Sequence, residues 1–212
     1  MSDQVRITRR GLFRGLGSTT LIAGCRPGGP ESVPPMAPPD DPSRRPQPAV
    51  EGAIGPGPAP LQFTLNGKPQ VLEVAPHVTL LAALRLHARA TGTKVVCDRG
   101  SCGACTVMID GVPRNSCMTL AHDVRGQSVT TVEGLARGEE LSPLQKAFIE
   151  HDALQCGYCT PGMLISCQAL IQRKGKAVTR EDAEQAVSGN LCRCGTYPHV
   201  VAAVLDAAGR SG

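Results

Sequence analysis

The residues of this chain best equipped for chemistry are its ten cysteines, at positions 25, 97, 102, 105, 117, 156, 159, 167, 192 and 194. Eight of them form two groups of four. Cys97, Cys102, Cys105 and Cys117 follow the spacing C-x4-C-x2-C-x11-C. Cys156, Cys159, Cys192 and Cys194 form a C-x2-C and a C-x-C pair, separated by residues 160–191. Thiols at such spacings either close disulfides or, as thiolates, bind metal. Neighbouring cysteines in the first loop would close very small, strained rings or require four separate partners. The usual zinc signature sets one C-x2-C against a distant C-x2-C, and the first loop departs from it.

A pair of irons suits the first group better. Two irons need four thiolates, and the plant-type [2Fe–2S] arrangement takes three from a tight C-x4-C-x2-C loop and one from a distant segment. Gly100 and Gly103 can take backbone angles closed to other residues, and Ser101 and Ala104 are small. Such a loop lets amide N–H groups approach sulfur, which stabilises an anionic cluster and tunes its potential.

The elements around this loop are short. Leu61-Gln-Phe-Thr-Leu65 alternates apolar and polar residues, a strand signal; Asn66-Gly67 is a hairpin turn pair, and Val71–Val74 completes the hairpin. Thr79 is placed to cap a helix carrying Leu80, Leu81, Leu84 and His87 or Ala88 on one face. Strands are expected at Thr106–Asp110, closed by an Asp110-Gly111 turn, and at Ser128–Val132. This order predicts a small mixed sheet clasping one helix.

The second group, taken alone, could be a four-thiolate zinc site. Its setting is helical. Ser142-Pro-Leu-Gln145 has a cap, an N1 proline and a capping-box glutamine. Further helices are expected to open at Thr160-Pro161, at Thr179 and at Pro198, the last stopping at Gly209. Both cysteine pairs therefore precede a helix, where unpaired N–H groups and the helix dipole favour negative charge. An iron–sulfur cluster held by four thiolates is anionic. Cys167, mid-helix beside Ile165, is expected to be a buried small hydrophobe. Tyr158 and Tyr197 flank the second group and are expected to shield it by packing. The five histidines are scattered, and with four cysteines in each group a Rieske centre is not called for.

The front of the chain has a different character. Thr8-Arg-Arg-Gly-Leu-Phe-Arg14, followed by a short apolar stretch to Gly24, resembles a bacterial twin-arginine export signal. Leu21-Ile-Ala-Gly-Cys25 resembles a lipoprotein processing box, which would anchor Cys25 to lipid. Export is a setting in which disulfides form, so a cystine framework stands as an alternative. From Arg26 to Pro60 the chain holds twelve of its eighteen prolines; such a segment buries too little to offset its ordering entropy and is expected to be an extended linker or arm. Net charge is +4, with seven of the 22 basic residues before position 61. The remainder is close to balanced, so no nucleic-acid partner is expected. No apolar run reaches the roughly 18 to 20 residues that span a bilayer. With three Phe, two Tyr and no Trp, the core must rest on Leu, Val, Ile and Ala.

Cys97-Asp-Arg-Gly-Ser-Cys102-Gly-Ala-Cys105-Thr, Asn115-Ser-Cys117 and Val129-Thr-Thr-Val-Glu-Gly134 resemble the iron–sulfur subunit of molybdenum hydroxylases, the family of xanthine dehydrogenase and the aldehyde oxidoreductases. More specific are Gln155-Cys156-Gly-Tyr-Cys159-Thr-Pro-Gly-Met163 and Gly189-Asn-Leu-Cys192-Arg-Cys194-Gly-Thr-Tyr197. The resemblance runs from residue 61 to about 205; the signal and proline-rich arm depart from many members and resemble a minority of exported aldehyde-oxidising enzymes.

The resemblance implies an α+β chain with a signal segment (1–25), a linker or arm (26–60), a β-grasp plant-type ferredoxin domain (61–135) and a four-helix [2Fe–2S]-binding domain (136–212). It implies one cluster on Cys97, Cys102, Cys105 and Cys117 and a second on Cys156, Cys159, Cys192 and Cys194. Gln155 and Cys156 would lie nearest the pterin of a large molybdopterin-binding subunit. Electrons would pass from there through the second cluster and then the first, to an FAD subunit or other acceptor. The chain itself shows no substrate-binding or catalytic set. Twin-arginine machinery would deliver it to the periplasm. Two other functions fit parts of the pattern: a free-standing two-cluster ferredoxin, or a secreted cysteine-rich module built on zinc or disulfides.

Overall fold

A computed structural model describes residues 54–210. Arg9, Arg10, Cys25 and most of the proline-rich arm lie outside the described residues. Strand β1 (Ala59–Leu65) begins two residues inside the expected arm and pairs antiparallel with β2 (Lys68–Val74), Leu61 opposite Leu72 and Leu65 opposite Lys68. The turn between them is Asn66-Gly67, both at positive φ.

Three further strands complete a five-stranded mixed sheet in the order β2-β1-β5-β3-β4. β5 (Ser128–Thr130) runs parallel to β1 and antiparallel to β3 (Thr106–Ile109), which pairs antiparallel with β4 (Val112–Asn115). β4 has no counterpart in the sequence reading. It is an edge strand carrying exposed Val112, Pro113 and Arg114, so no face of it is marked by alternation, and an edge tolerates proline. β5 ends at Thr130 rather than Val132, because Thr131 is bound by the side chain of Asn66 and a 3-10 turn follows.

Helix α1 (Leu80–Ala82) is capped by the Thr79 hydroxyl, which accepts from Ala82 N, and continues as a π-helical turn over Ala83–His87. The wider turn leaves His87 exposed and brings Ala88 onto the core. Leu80, Ala83 and Leu84 meet Leu61, Phe63, Leu65, Val107, Ile109 and Val129, so the sheet does clasp one helix. This is the β-grasp arrangement of a plant-type ferredoxin domain.

The second half is helical. The Ser142–Gln145 capping box opens α2 (Pro143–Glu150), and a second box, Thr179–Asp182, opens α4 (Arg180–Val187). Between and after them run α3 (Thr160–Lys174) and α5 (Tyr197–Arg210), the latter continuing through Gly209. Leu144, Phe148, Met163, Cys167, Leu170, Val187, Val200 and Val204 form their common core.

Helix α3 has ten of its fifteen residues buried. A helix apolar on all sides is covered on all sides. One face lines the helical core, while Ile165 and Ala169 pack on Met108 of β3. Consequently all four residues of β3 are buried, Val107 and Ile109 towards α1 and Met108 towards α3. No described helix is long and apolar enough to cross a membrane.

Candidate metal centres

The loop from Cys97 to Cys105 turns through three residues at positive φ: Asp98 at 52°, Gly100 at 76° and Gly103 at 66°. These angles fold the loop over its own sulfurs. The N–H of Gly100 donates to Cys117 Sγ at 3.2 Å. Cys97 is brought down to about 7, first by the N–H of Arg99, then by contact with the Cys102 thiol, with the N–H groups of Cys102 and Ser101 adding to the effect. Cys117 is pushed up to about 11 by burial and then by its contact with Cys105. The structure therefore gathers all four thiols as two touching pairs, Cys97 with Cys102 and Cys105 with Cys117.

The second group is split between depth and surface. Cys159 is the N-cap of α3 and is buried, whereas Cys156 and Cys194 are exposed. Burial, then contact with Cys192, pushes Cys159 up to about 12. Burial would also raise Cys192, but the Thr196 hydroxyl, the N–H groups of Thr196 and Gly195, and Cys159 outweigh it and bring it to about 7. Cys156 is near enough to oppose ionisation of Cys159. Gln155 is exposed beside Cys156.

The tyrosines part company. Tyr197 packs on the helical core, and its hydroxyl accepts from Cys192 N at 2.8 Å and donates to Asn190 O at 3.0 Å, bracing the loop. Tyr158 is 61% exposed and lines a surface pocket with Cys156, Arg85, Lys94 and Val95. Cys167 is fully buried in the helical core, and its thiol is pushed up to about 12 by burial alone.

The two loops are stitched together. Leu191 N donates to Cys102 O at 2.9 Å, placing Cys192 one residue from a bond to the first loop. Asn190 Nδ2 donates to Gly103 O at 2.9 Å, and Ser166 Oγ donates to Asn190 Oδ1 at 3.0 Å. Asn190 and Thr196 lie inside a motif prominent in the sequence, yet cysteine spacing alone assigns neither a role. Their partners emerge only when the loops are folded.

The donor set fits a [2Fe–2S] group. All nine described cysteines are free, so the cystine framework is not formed among them. Among the described residues no three His, Cys, Asp or Glu side chains surround a point as a single ion would require; the thiols of the first set, paired two and two, suit two irons, and in the second set Cys159 meets Cys192. Buried thiols such as Cys117 and Cys159 resist ionisation unless a cation meets them, and bound iron would supply that charge. Thr160 Oγ1, next to Cys159, is shielded from solvent and has no hydrogen-bond partner among the described residues. An orphaned hydroxyl there is expected beside a group that accepts hydrogen bonds.

Fold and thiols together define a two-domain iron–sulfur protein. Residues 131–205 match the family described as [2Fe-2S] binding domain, and residues 70–162 that described as 2Fe-2S iron-sulfur cluster binding domain. The aldehyde oxidoreductase iron-sulfur-binding subunit PaoA of Escherichia coli O157:H7 is 43% identical over 164 residues, covering 71% of this chain and 72% of that protein. The nicotine 6-hydroxylase small subunit of Paenarthrobacter nicotinovorans is 47% identical over 152 residues, covering 72% and 91%. A chain of quinoline 2-oxidoreductase from Pseudomonas putida 86 superposes with a TM-score of 0.67 at 44% identity, over 72% of this chain and 97% of that one. The chain belongs to the iron–sulfur subunits of molybdenum hydroxylases of the aldehyde oxidoreductase and xanthine dehydrogenase type. It is an oxidoreductase component that binds [2Fe–2S] clusters.

Proposed function

We propose that Cys97, Cys102, Cys105 and Cys117 hold one [2Fe–2S] cluster, that Cys156, Cys159, Cys192 and Cys194 hold the other, and that the chain carries electrons between them. One observation carries this reading: the two thiol sets lie in loops joined directly by the Leu191 N–H to Cys102 carbonyl bond. Electrons enter from a molybdopterin-binding subunit at the second set and leave from the first, to an FAD subunit or another acceptor. The entry side is supported by the exposed thiols of the second set, since exposed apolar residues flank both sets, with Val95, Val96 and Met118 beside the first. Cys156 and Cys194 are open to solvent, as are Leu154 at 40%, Tyr158 at 61% and Leu191 at 59%. An exposed apolar rim around an open site suits burial by a partner, with Gln155 and Cys156 towards the pterin. A diffusible carrier would need no such rim.

Replacing Cys102 by Ser abolishes one reducible [2Fe–2S] signal in electron paramagnetic resonance and leaves the other. Loss of neither signal refutes the ligand assignment. The Arg9-Arg10 pair supports export by the twin-arginine route to the periplasm. Changing both arginines to Lys retains the protein in the cytoplasm with its clusters in place; unchanged export removes this part of the reading.

A further inference from the structure

The hydroxyl that opens α5 is diverted from its ordinary task. A Ser or Thr before a helix accepts a hydrogen bond from a free N–H of the first turn. Thr79, Ser142 and Thr179 do so, accepting from Ala82, Gln145 and Asp182 N. Thr196 occupies the equivalent place, since its carbonyl accepts from Val200 N at 3.0 Å. Its hydroxyl turns instead to Cys192 Sγ, at 3.3 Å. Thr196 is 2% exposed, so no water competes for that bond. A thiolate has no proton to donate, so with Cys192 ionised on iron the hydroxyl is the donor.

The first thiol set differs. There the donors directed at sulfur, apart from the thiols themselves, are main-chain N–H groups, of Gly100, Arg99, Ser101 and Cys102. A main-chain donor is present whatever the side chain. A hydroxyl can be removed by one substitution and restored by another.

We propose that Thr196 is a potential-setting residue for the second cluster, its hydroxyl donating to the Cys192 thiolate and raising that cluster's reduction potential without affecting the first. This rests on the ligand assignment proposed above. One electron entering the site adds one negative charge to it, with no bond made or broken. A donor held against the thiolate stabilises the more negative state and so favours reduction. The donor is preorganised: Thr196 is buried, its own carbonyl is bonded into α5, and Tyr197 next to it braces Cys192 N.

The test is a redox titration of the intact complex, followed by electron paramagnetic resonance. The second cluster is identified as the signal lost in Cys156→Ser. Thr196→Val keeps the side chain's shape and removes the donor. It lowers the second midpoint by about a tenfold change in the reduction equilibrium, about 59 mV for a one-electron couple. Thr196→Ser keeps the donor and the wild-type midpoint, and the first midpoint stays put in both. An unmoved midpoint in the valine variant, or a serine variant displaced as far as the valine one, overturns the proposal. Should the valine variant fail to assemble, Thr196→Ala against Thr196→Ser makes the same comparison. A second cluster lost from both Val and Ala but kept in Ser would assign the hydroxyl to assembly and also overturn it. A wild-type complex with one reducible cluster instead of two would remove the ligand assignment itself, a result distinct from a midpoint that fails to shift.

Discussion

Asn190 Nδ2 donates to the carbonyl oxygen of Gly103 at 2.9 Å, tying the helical half of the chain to the cysteine loop of the sheet half. The same side chain accepts from Ser166 Oγ on α3, and the Asn190 carbonyl accepts from the Tyr197 hydroxyl. With 3% of its surface exposed, one residue thus serves three elements out of reach of water, two through its side-chain amide and one through its main-chain carbonyl. Gly103 O also accepts from Thr106 N and Oγ1, so it stays bonded if Asn190 is lost; Ser166 does not. Asn190→Ala therefore costs about 1–3 kcal/mol, the penalty of a buried group left unsatisfied. Asn190→Asp costs more, because a carboxylate would face a carbonyl oxygen. Denaturant unfolding of the cluster-loaded protein measures both, and the Leu191 amide should exchange faster in each variant.

Gly162, on α3, supplies a sharper steric prediction. A Cβ at this position would run into the Gly103 carbonyl oxygen and lie 3.0 Å from Asn190 Nδ2. In a helix interior Gly→Ala ordinarily gains up to about 1 kcal/mol. Here the obstacle is backbone, which cannot swing aside, and overpacking costs about 1–3 kcal/mol. Gly162→Ala should destabilise the protein and loosen the same inter-loop bonds. Gly209, on α5, has nothing within 4 Å of its added Cβ, so Gly209→Ala should be neutral or slightly stabilising. Thermal unfolding of the pair separates packing from propensity.

Cys167 tests whether a cysteine outside the two sets touches iron. It is fully buried among apolar side chains, and burial holds its thiol protonated up to about 12. Cys167→Ala should leave iron content unchanged. Cys167→Ser should also keep its iron but lose about 1–3 kcal/mol of stability, because a hydroxyl would replace a thiol among apolar side chains. In the native protein an alkylating reagent should not label Cys167 at any pH below 9; labelling there would mean that the core opens at this point.

The parts legible in the sequence are those whose cause is local. Thiol spacing is local, and so are the Ser142–Gln145 and Thr179–Asp182 caps and the Asn66-Gly67 turn. What escaped depends on residues far apart in the chain. β4 is marked by no alternation because neither face of Val112–Arg114 is buried. β3 looked like an ordinary strand, yet its full burial follows from α3 covering the face opposite α1. The bonds of Asn190 reach residues 87 and 24 positions away, beyond any motif. Tyr158 and Tyr197 look equivalent beside their cysteines, but only Tyr197 begins a helix that packs inward. Helical spacing leaves His87 and Ala88 as alternatives on the apolar face, and the π-helical turn decides for Ala88.

Asp182 gives a dependence on pH with a definite sign. Its carboxylate is held down to about 2, first by Lys174 Nζ at 2.6 Å, then by the Thr179 N–H and hydroxyl. The ordinary value is 3.8. A carboxyl whose folded value lies below its unfolded one binds its proton more readily when the chain unfolds. Its stabilisation is therefore complete above the unfolded value and is lost as pH falls from about 3.8 through about 2. The unfolding midpoints of wild type and Asp182→Asn should thus differ by a constant amount between pH 8 and pH 5 and converge below about pH 4. Each comparison is made at one pH on both proteins in the same cluster state, so acid loss of iron affects the two alike. Lys174→Met removes the first cause and should shift the convergence to higher pH, while leaving the Thr179–Asp182 capping box in place. A gap that stays constant down to pH 2 would mean that the capping box works through geometry alone and that the charge of Asp182 contributes nothing.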